Sequence, residues 1–93
     1  TLFRSAFIGT QTGRSNTTGY YNTATGSYAL FANTTGYQNT GVGLNALRYN
    51  TTGYNNTAVG QSALSANTSG INNTGLGLEA LYSNTTGNYK RSC

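Results

Sequence analysis

Hydrophobic and polar positions recur along this chain with a fixed period of 17 residues. The clearest unit, Asn50 to Ala66, reads NTTGYNNTAVGQSALSA. Units with the same pattern occupy residues 16–32, 33–49 and 67–83. Self-similarity at a short fixed period is typical of solenoids, in which each repeat buries its apolar side chains against the next.

Each unit predicts two turns and two short strands. The opening tetrad Asn-Thr-Thr-Gly indicates a turn, because Gly permits and Asn tolerates a positive φ. Two apolar segments follow, such as Ala58-Val59 and Ala63-Leu64, and β-branched residues favour a strand. Two glycine columns per period and the lack of a 3.6-residue apolar spacing argue against helices. The predicted fold class is therefore all-β, a β-solenoid (β-roll) of about five 17-residue coils with two short parallel strands per coil.

The repeat sets the domain boundaries. We predict a single repeat domain over residues 1–93. It divides into a degenerate first coil at 1–15, four regular coils at 16–83 and a partial last coil at 84–93. The first coil lacks the Asn-Thr-Thr-Gly opening and is bulkier, which suits a terminal repeat.

Alternation within the strands predicts the core. Val42, Val59 and Leu76 are expected to point inward, together with one member of each Ala-Leu pair, because adjacent strand residues face opposite sides. An aromatic column consists of Tyr20, Tyr37 and Tyr54. It predicts a stacked structural ladder, with a surface stripe for a partner chain or a sugar as the alternative.

Two asparagine columns carry the remaining pattern. The second, Asn22, Asn39, Asn56 and Asn73, predicts a ladder of amide hydrogen bonds from rung to rung. The first lies in the predicted turn, so we expect Asn16, Asn33, Asn50 and Asn67 outside the coil, some of them bearing glycan. Seven Asn-X-Ser/Thr sequences are candidate N-glycosylation acceptors: Asn16, Asn33, Asn50, Asn55, Asn67, Asn72 and Asn84.

Composition narrows the chemistry. The chain has no His and a single acidic residue, Glu79, and its one cysteine is Cys93. Neither a Ser-His-Asp triad, a paired-carboxylate site nor a metal cluster can be assembled from these groups. We therefore expect no catalytic, cofactor-binding or metal-binding residues, no cofactor and no enzyme activity. The net charge of +4 is scattered, which disfavours nucleic acid, and no apolar run is long enough for membrane insertion.

The tract NTTGYNNTAVGQSAL, with its core Asn-Thr-Ala-Val-Gly-x-x-Ala, resembles the head repeats of trimeric autotransporter adhesins and related phage tail-fibre repeats. The similarity covers residues 16–89 well and residues 1–15 loosely. It implies a left-handed β-roll, three chains side by side and a role as an extracellular binding stalk. The period of 17 is longer than is usual in that family, and the resemblance assigns no site residue.

Three functions follow as hypotheses. The first is a structural protein, the protomer or segment of an extracellular fibre built by stacking solenoid coils, with covalent glycans as a candidate coat. The second is the stalk of an adhesin or phage tail fibre, a homotrimer that binds a receptor or sugars on a cell surface. The third is an ice-binding solenoid with a flat threonine face. The expected partners are further copies of the chain, end to end in a filament or side by side in a trimer, and covalent glycans or cell-surface sugars. The expected location is extracellular or on a cell or virion surface.

Overall fold

The structure is a computed structural model that describes residues 4–93, and its only regular elements there are short parallel strands. The strands are β1 (Ala6–Ile8), β2 (Thr23–Thr25), β3 (Thr40–Val42), β4 (Thr57–Val59), β5 (Thr74–Leu76) and β6 (Arg91–Ser92). They form one six-stranded sheet in chain order. Partners lie 17 positions apart throughout, as in the pair Thr40 and Thr57. The predicted β-solenoid of about five coils is confirmed.

Each coil contributes one strand rather than two, so the second predicted strand is corrected to a turn. Alternate residues of the Ala-Leu segment have a left-handed backbone, with φ of 62° at Asn45 and 52° at Leu47. Such values fold the chain back and end the extended conformation. The segment still stacks, because the Leu47 N–H donates to the Ala63 carbonyl of the next coil at 3.0 Å. The Ala46 N–H instead bonds within its own coil, to Gly43 at 3.2 Å.

This turn changes which apolar residues are buried. Ala46 and Leu47 are both completely buried, so the prediction that only one of each pair faces inward is wrong. The aliphatic core comprises Ala24, Ala29, Leu30, Ala46, Leu47, Ala58, Ala63 and Leu64. The prediction for the valine column is also wrong. The middle residue of each strand points inward, and Val59 and Leu76 are each 39% exposed on the outer face.

The first coil fills the same core with different side chains. Phe7 occupies the inward strand position that Ala24 and Gly41 hold in later coils, and it packs against the aliphatic core. Gly13 stands where later coils have leucine, and a Cβ there would overlap the Phe7 ring at 2.5 Å. The bulk has therefore moved from one column to another within the coil. Residues 1–3 of the predicted first coil lie outside the described residues.

Candidate functional site: the stacked side-chain columns

The first asparagine column lies inside the coil. Asn33, Asn50 and Asn67 are completely buried, so the prediction that they lie outside is wrong. The Asn50 Nδ2 group donates to Oδ1 of Asn33 at 2.8 Å, and its own Oδ1 accepts from Nδ2 of Asn67 at 2.8 Å. Asn16 and Asn84 are partly buried and belong to the same ladder. A glycan on this column would take the nitrogen that makes these bonds.

The second asparagine column is the predicted amide ladder, and it is confirmed. Asn39 and Asn56 are completely buried. The Asn39 Oδ1 atom accepts two bonds from Asn56, one from its backbone N–H at 3.1 Å and one from Nδ2 at 3.2 Å. The same geometry links Asn22 to Asn39 and Asn56 to Asn73. Each rung is therefore fastened through both its backbone and its side chain.

A glycine carbonyl joins the two columns. The Gly53 oxygen accepts from Nδ2 of Asn50 at 3.1 Å and from Nδ2 of Asn39, in the preceding coil, at 2.9 Å. A Cβ on Gly53 would collide with the Gly70 carbonyl and with the Asn50 amide oxygen. We call the two asparagine columns with their glycine carbonyls the amide core. Glycine is required there because the bonded rungs leave no room for a methyl group.

The opening tetrad has a further bond pattern that the sequence did not predict. The carbonyl of Thr51 accepts the backbone N–H groups of three consecutive residues in the preceding coil, Thr34, Thr35 and Gly36, at 3.1, 3.2 and 3.0 Å. The Thr34 hydroxyl adds a fourth donor at 3.3 Å. The next rung repeats the arrangement on the carbonyl of Thr68. The first threonine of the tetrad is therefore part of the ladder rather than a free surface group.

Of the candidate glycosylation acceptors, Asn55 has the most open position. It is exposed, with φ of 56°, at the turn that precedes β4. Asn72 occupies the same place in the next coil and is partly buried. The other five acceptors belong to the amide ladder: Asn16, Asn33, Asn50, Asn67 and Asn84. Glycosylation of Asn55 remains a prediction.

The tyrosine column forms a stack on the surface. The rings of Tyr20 and Tyr37 lie 4.9 Å apart between centroids, and those of Tyr37 and Tyr54 lie 4.5 Å apart, each pair within 6° of parallel. Desolvation in the stack, and then the neighbouring phenols of Tyr54 and Tyr20, raise the pKa of Tyr37 above its ordinary value. Because the faces pack on one another, the stack presents ring edges and hydroxyl groups to solvent. A sugar that needs an open aromatic face has none at Tyr37.

Arg48 packs against aromatic side chains of its own coil and of the preceding coil. Its guanidinium lies over the rings of Tyr28 and Tyr49, 4.5 and 5.2 Å from their centroids, and donates to Oδ1 of Asn45 at 3.3 Å. Such cation–π contacts stabilise the charge beside the apolar coil. Sequence reasoning did not predict this cluster, because Tyr28 lies on the coil before that of Arg48 and Tyr49.

The outer face of the sheet is weakly apolar. On each strand the first and third residues point outward, so a threonine column, Thr23, Thr40, Thr57 and Thr74, runs beside the column of Ile8, Thr25, Val42, Val59 and Leu76. Ile8 is 65% exposed, and Leu78, on the adjoining turn, is 71% exposed. This face is the largest set of exposed aliphatic side chains among the described residues.

No family model matches the chain, and neither a curated protein nor a solved structure shows significant similarity to it. Within residues 4–93, no three His, Cys, Asp or Glu side chains come together in a way that could hold a metal ion. That part of the chain also contains no helix long and apolar enough to cross a membrane.

Proposed function

We propose that this protein is structural, a segment or protomer of an extracellular fibre built from stacked solenoid coils. The observation that carries the proposal is the translational repeat of the amide core. Asn50 gives Asn33 the same bond that it receives from Asn67. Because each rung offers its neighbour the groups that it uses itself, the geometry sets no limit on the number of rungs.

The mode of growth follows from the sheet. A parallel strand at the edge of a sheet carries unpaired backbone groups that can template a further strand. Between rungs, amide, glycine and threonine oxygens accept bonds as well, and a rung from a second chain would use the same pattern. We therefore propose self-association end to end, with the chain itself as the principal partner and no nucleic acid or membrane involved.

Electron microscopy of the purified protein over a range of concentrations tests this. We expect filaments that lengthen with concentration. Ser92→Lys should suppress them, because Ser92 extends the inward column at the β6 edge and a charge there obstructs the next rung. Arg91→Lys is the matched control, since Arg91 is exposed in the outward column and keeps its charge. A monodisperse monomer at high concentration would reject the proposal.

A lateral assembly, as in an adhesin or tail-fibre stalk, is the second candidate. It is favoured by the aliphatic outer face of the sheet, where Ile8 and Leu76 are 65% and 39% exposed. Light scattering would give the mass of three chains under this candidate. Val59→Lys, in the middle of the face, should then dissociate the trimer, whereas Asn55→Lys, outside it, should not.

Ice binding is the third candidate, and one feature of the sheet bears on it. Among the strands of residues 4–93, only β2 places two threonines, Thr23 and Thr25, on its outer face. The next strands have Val42 and Val59 at the second position. The pair of outward-facing threonines is therefore not repeated on the strands that follow β2. We expect the protein to show no thermal hysteresis. A measurable hysteresis would favour ice binding over the fibre and the trimeric stalk.

A glycan coat is proposed only at the surface turns. Asn55 is the acceptor with an exposed side chain, and with 6% charged residues the chain has little electrostatic repulsion to keep fibres apart. Intact-mass spectrometry of native material tests this. A mass equal to that of the unmodified native chain would exclude the coat.

A further inference from the structure

The tyrosine stack is the feature that the structural role leaves unused. Its three phenols repeat at successive rungs with centroid distances of 4.9 and 4.5 Å. Tyr20 is 39% exposed and also meets Tyr21 edge-on at 5.4 Å. In the coils after Tyr54 the column holds Ile71 and Asn88, so the stack ends at Tyr54 on that side. This is a short, accessible run of oxidisable groups held at fixed spacing.

We propose that the stack is an oxidative cross-linking site, at which Tyr37 couples to Tyr54. The bond covalently joins two neighbouring coils of the same chain. The required co-reactant is a one-electron oxidant, such as a peroxidase with hydrogen peroxide. The closer of the two stacked pairs, at 4.5 Å, is the preferred one. The inference is independent of fibre assembly, because both tyrosines belong to one chain.

The chemistry balances as follows. Each phenol loses one electron and one proton, giving two phenoxyl radicals. The radicals join through one carbon–carbon bond between ring positions ortho to the hydroxyl groups. The two ring hydrogens displaced from those carbons return to the oxygens by tautomerisation, so both phenols are regenerated. Hydrogen peroxide accepts the two electrons and two protons and forms two molecules of water.

The geometry favours coupling within the stack over coupling between chains. Two groups held side by side react at an effective concentration far above that of molecules meeting in solution. The rings of Tyr37 and Tyr54 lie face to face, with centroids 4.5 Å apart and planes within 6° of parallel. Torsion about the side-chain bonds of the two tyrosines brings an ortho carbon of each ring together for the coupling step.

The positions of basic residues make the test direct. Trypsin cuts after Arg14, Arg48 and Lys90, so Tyr37 falls in fragment 15–48 and Tyr54 in fragment 49–90. The wild-type chain is treated briefly with peroxidase and hydrogen peroxide at low protein concentration. The monomer band is then cut from a denaturing gel, digested with trypsin and analysed by mass spectrometry. We expect a species in which the two fragments are joined with the loss of two hydrogen atoms, together with dityrosine fluorescence.

Matched phenylalanine variants locate the bond. Tyr37→Phe keeps the ring and the stack but removes the phenol, and we expect the joined fragment to fall at least about tenfold. Tyr49→Phe is the control, because Tyr49 lies beside Arg48 outside the stack and shares fragment 49–90 with Tyr54. It should retain the joined fragment. Circular dichroism of each variant checks that the coil is intact.

Three outcomes would overturn the inference. One is a wild-type chain that forms dityrosine only between chains, in the dimer band. The second is a Tyr37→Phe variant that retains the joined fragment. The third is loss of the joined fragment in Tyr49→Phe, which would assign the reaction to the tyrosines around Arg48.

Discussion

The two halves of the coil interior are held in different ways. In the amide core every regular rung has the same residues, because each asparagine must donate and accept in fixed directions. In the aliphatic core the rungs differ. Phe7, Ala24 and Gly41 share one column, and Phe7 compensates for Gly13 in another. Directional bonds therefore fix the identity of each residue, whereas apolar packing fixes only the volume that is filled.

The largest expected effect is at the amide core. Asn50→Asp replaces a buried donor by a carboxylate that faces the oxygens of Asn33 and Gly53, which now sit 2.8 and 3.1 Å from Nδ2. We expect a loss of about 3–5 kcal/mol in the free energy of unfolding at neutral pH, since an uncompensated buried charge is left. Urea denaturation followed by circular dichroism measures it. Asn55→Asp, the same change at an exposed position, is the control and should have little effect.

The pH dependence of this variant gives a second readout. Burial and the facing oxygens should raise the pKa of the new carboxyl in the folded state above its unfolded value of about 3.9. The loss is then smallest below the unfolded pKa, where both states hold the proton, and it grows as the pH rises towards the folded pKa. If Asn50→Asp does not fold at neutral pH, we expect it to refold in acid. Equal loss at all pH values would contradict the buried-charge explanation.

The aliphatic core should respond less steeply. Leu47 is completely buried, and Leu47→Ala is expected to lower the free energy of unfolding by about 2–4 kcal/mol through lost burial and a cavity. Leu44→Ala is the matched control, because Leu44 is 44% exposed three residues away, and it should change stability by less than about 0.5 kcal/mol. Urea midpoints of the two variants compare them. Equal midpoints would show that Leu47 is not a core residue.

Two glycine-to-alanine substitutions compare how much room the amide core and the aliphatic core have for one added methyl group. Gly53→Ala places a methyl group against the Gly70 carbonyl, and we expect a cost of about 1–3 kcal/mol from overpacking. Gly41→Ala adds the same methyl in the aliphatic core, where the nearest atom, the Ala46 carbonyl oxygen, is 3.3 Å away and the neighbouring strands already carry alanine. Its effect should lie within about 1 kcal/mol of zero, because lost chain entropy in the unfolded state offsets the tight contact. Thermal unfolding of both variants measures the difference, and a larger loss for Gly41→Ala would contradict it.

The smallest effect concerns the tyrosine stack. The pKa of Tyr37 is raised by desolvation and by its neighbours Tyr54 and Tyr20. The folded state therefore holds the phenolic proton more tightly than the unfolded state. This contribution is complete below the unfolded pKa of about 10 and is lost as the pH rises through the folded pKa. We expect the midpoint of urea unfolding to fall more for the wild-type chain than for Tyr37→Phe between neutral and strongly alkaline pH. If the two midpoints fall equally with pH, the stack does not raise the pKa of Tyr37.

Sequence reasoning succeeded where the repeat itself carries the information. The period of 17, the parallel register and the ladder of Asn22, Asn39 and Asn56 all follow from columns of identical residues. It failed for the direction of side chains. The apolar pair Ala46-Leu47 predicts a strand, yet Leu47 adopts a φ of 52°, which ends the extended conformation. With Asn45 and Leu47 left-handed, both Ala46 and Leu47 face inward. Val59, the third residue of its strand, lies on the outer face.

The sequence by itself determined that coils stack, how long each coil is and which residues align from rung to rung. Only the tertiary structure decided which columns lie inside. Asn50 reads as a surface turn residue, and it is buried because the neighbouring rungs satisfy both ends of its amide. The physical reason is that a polar group may be buried once its hydrogen bonds are made. Those partners are 17 residues away in the chain and adjacent only after the coil has closed.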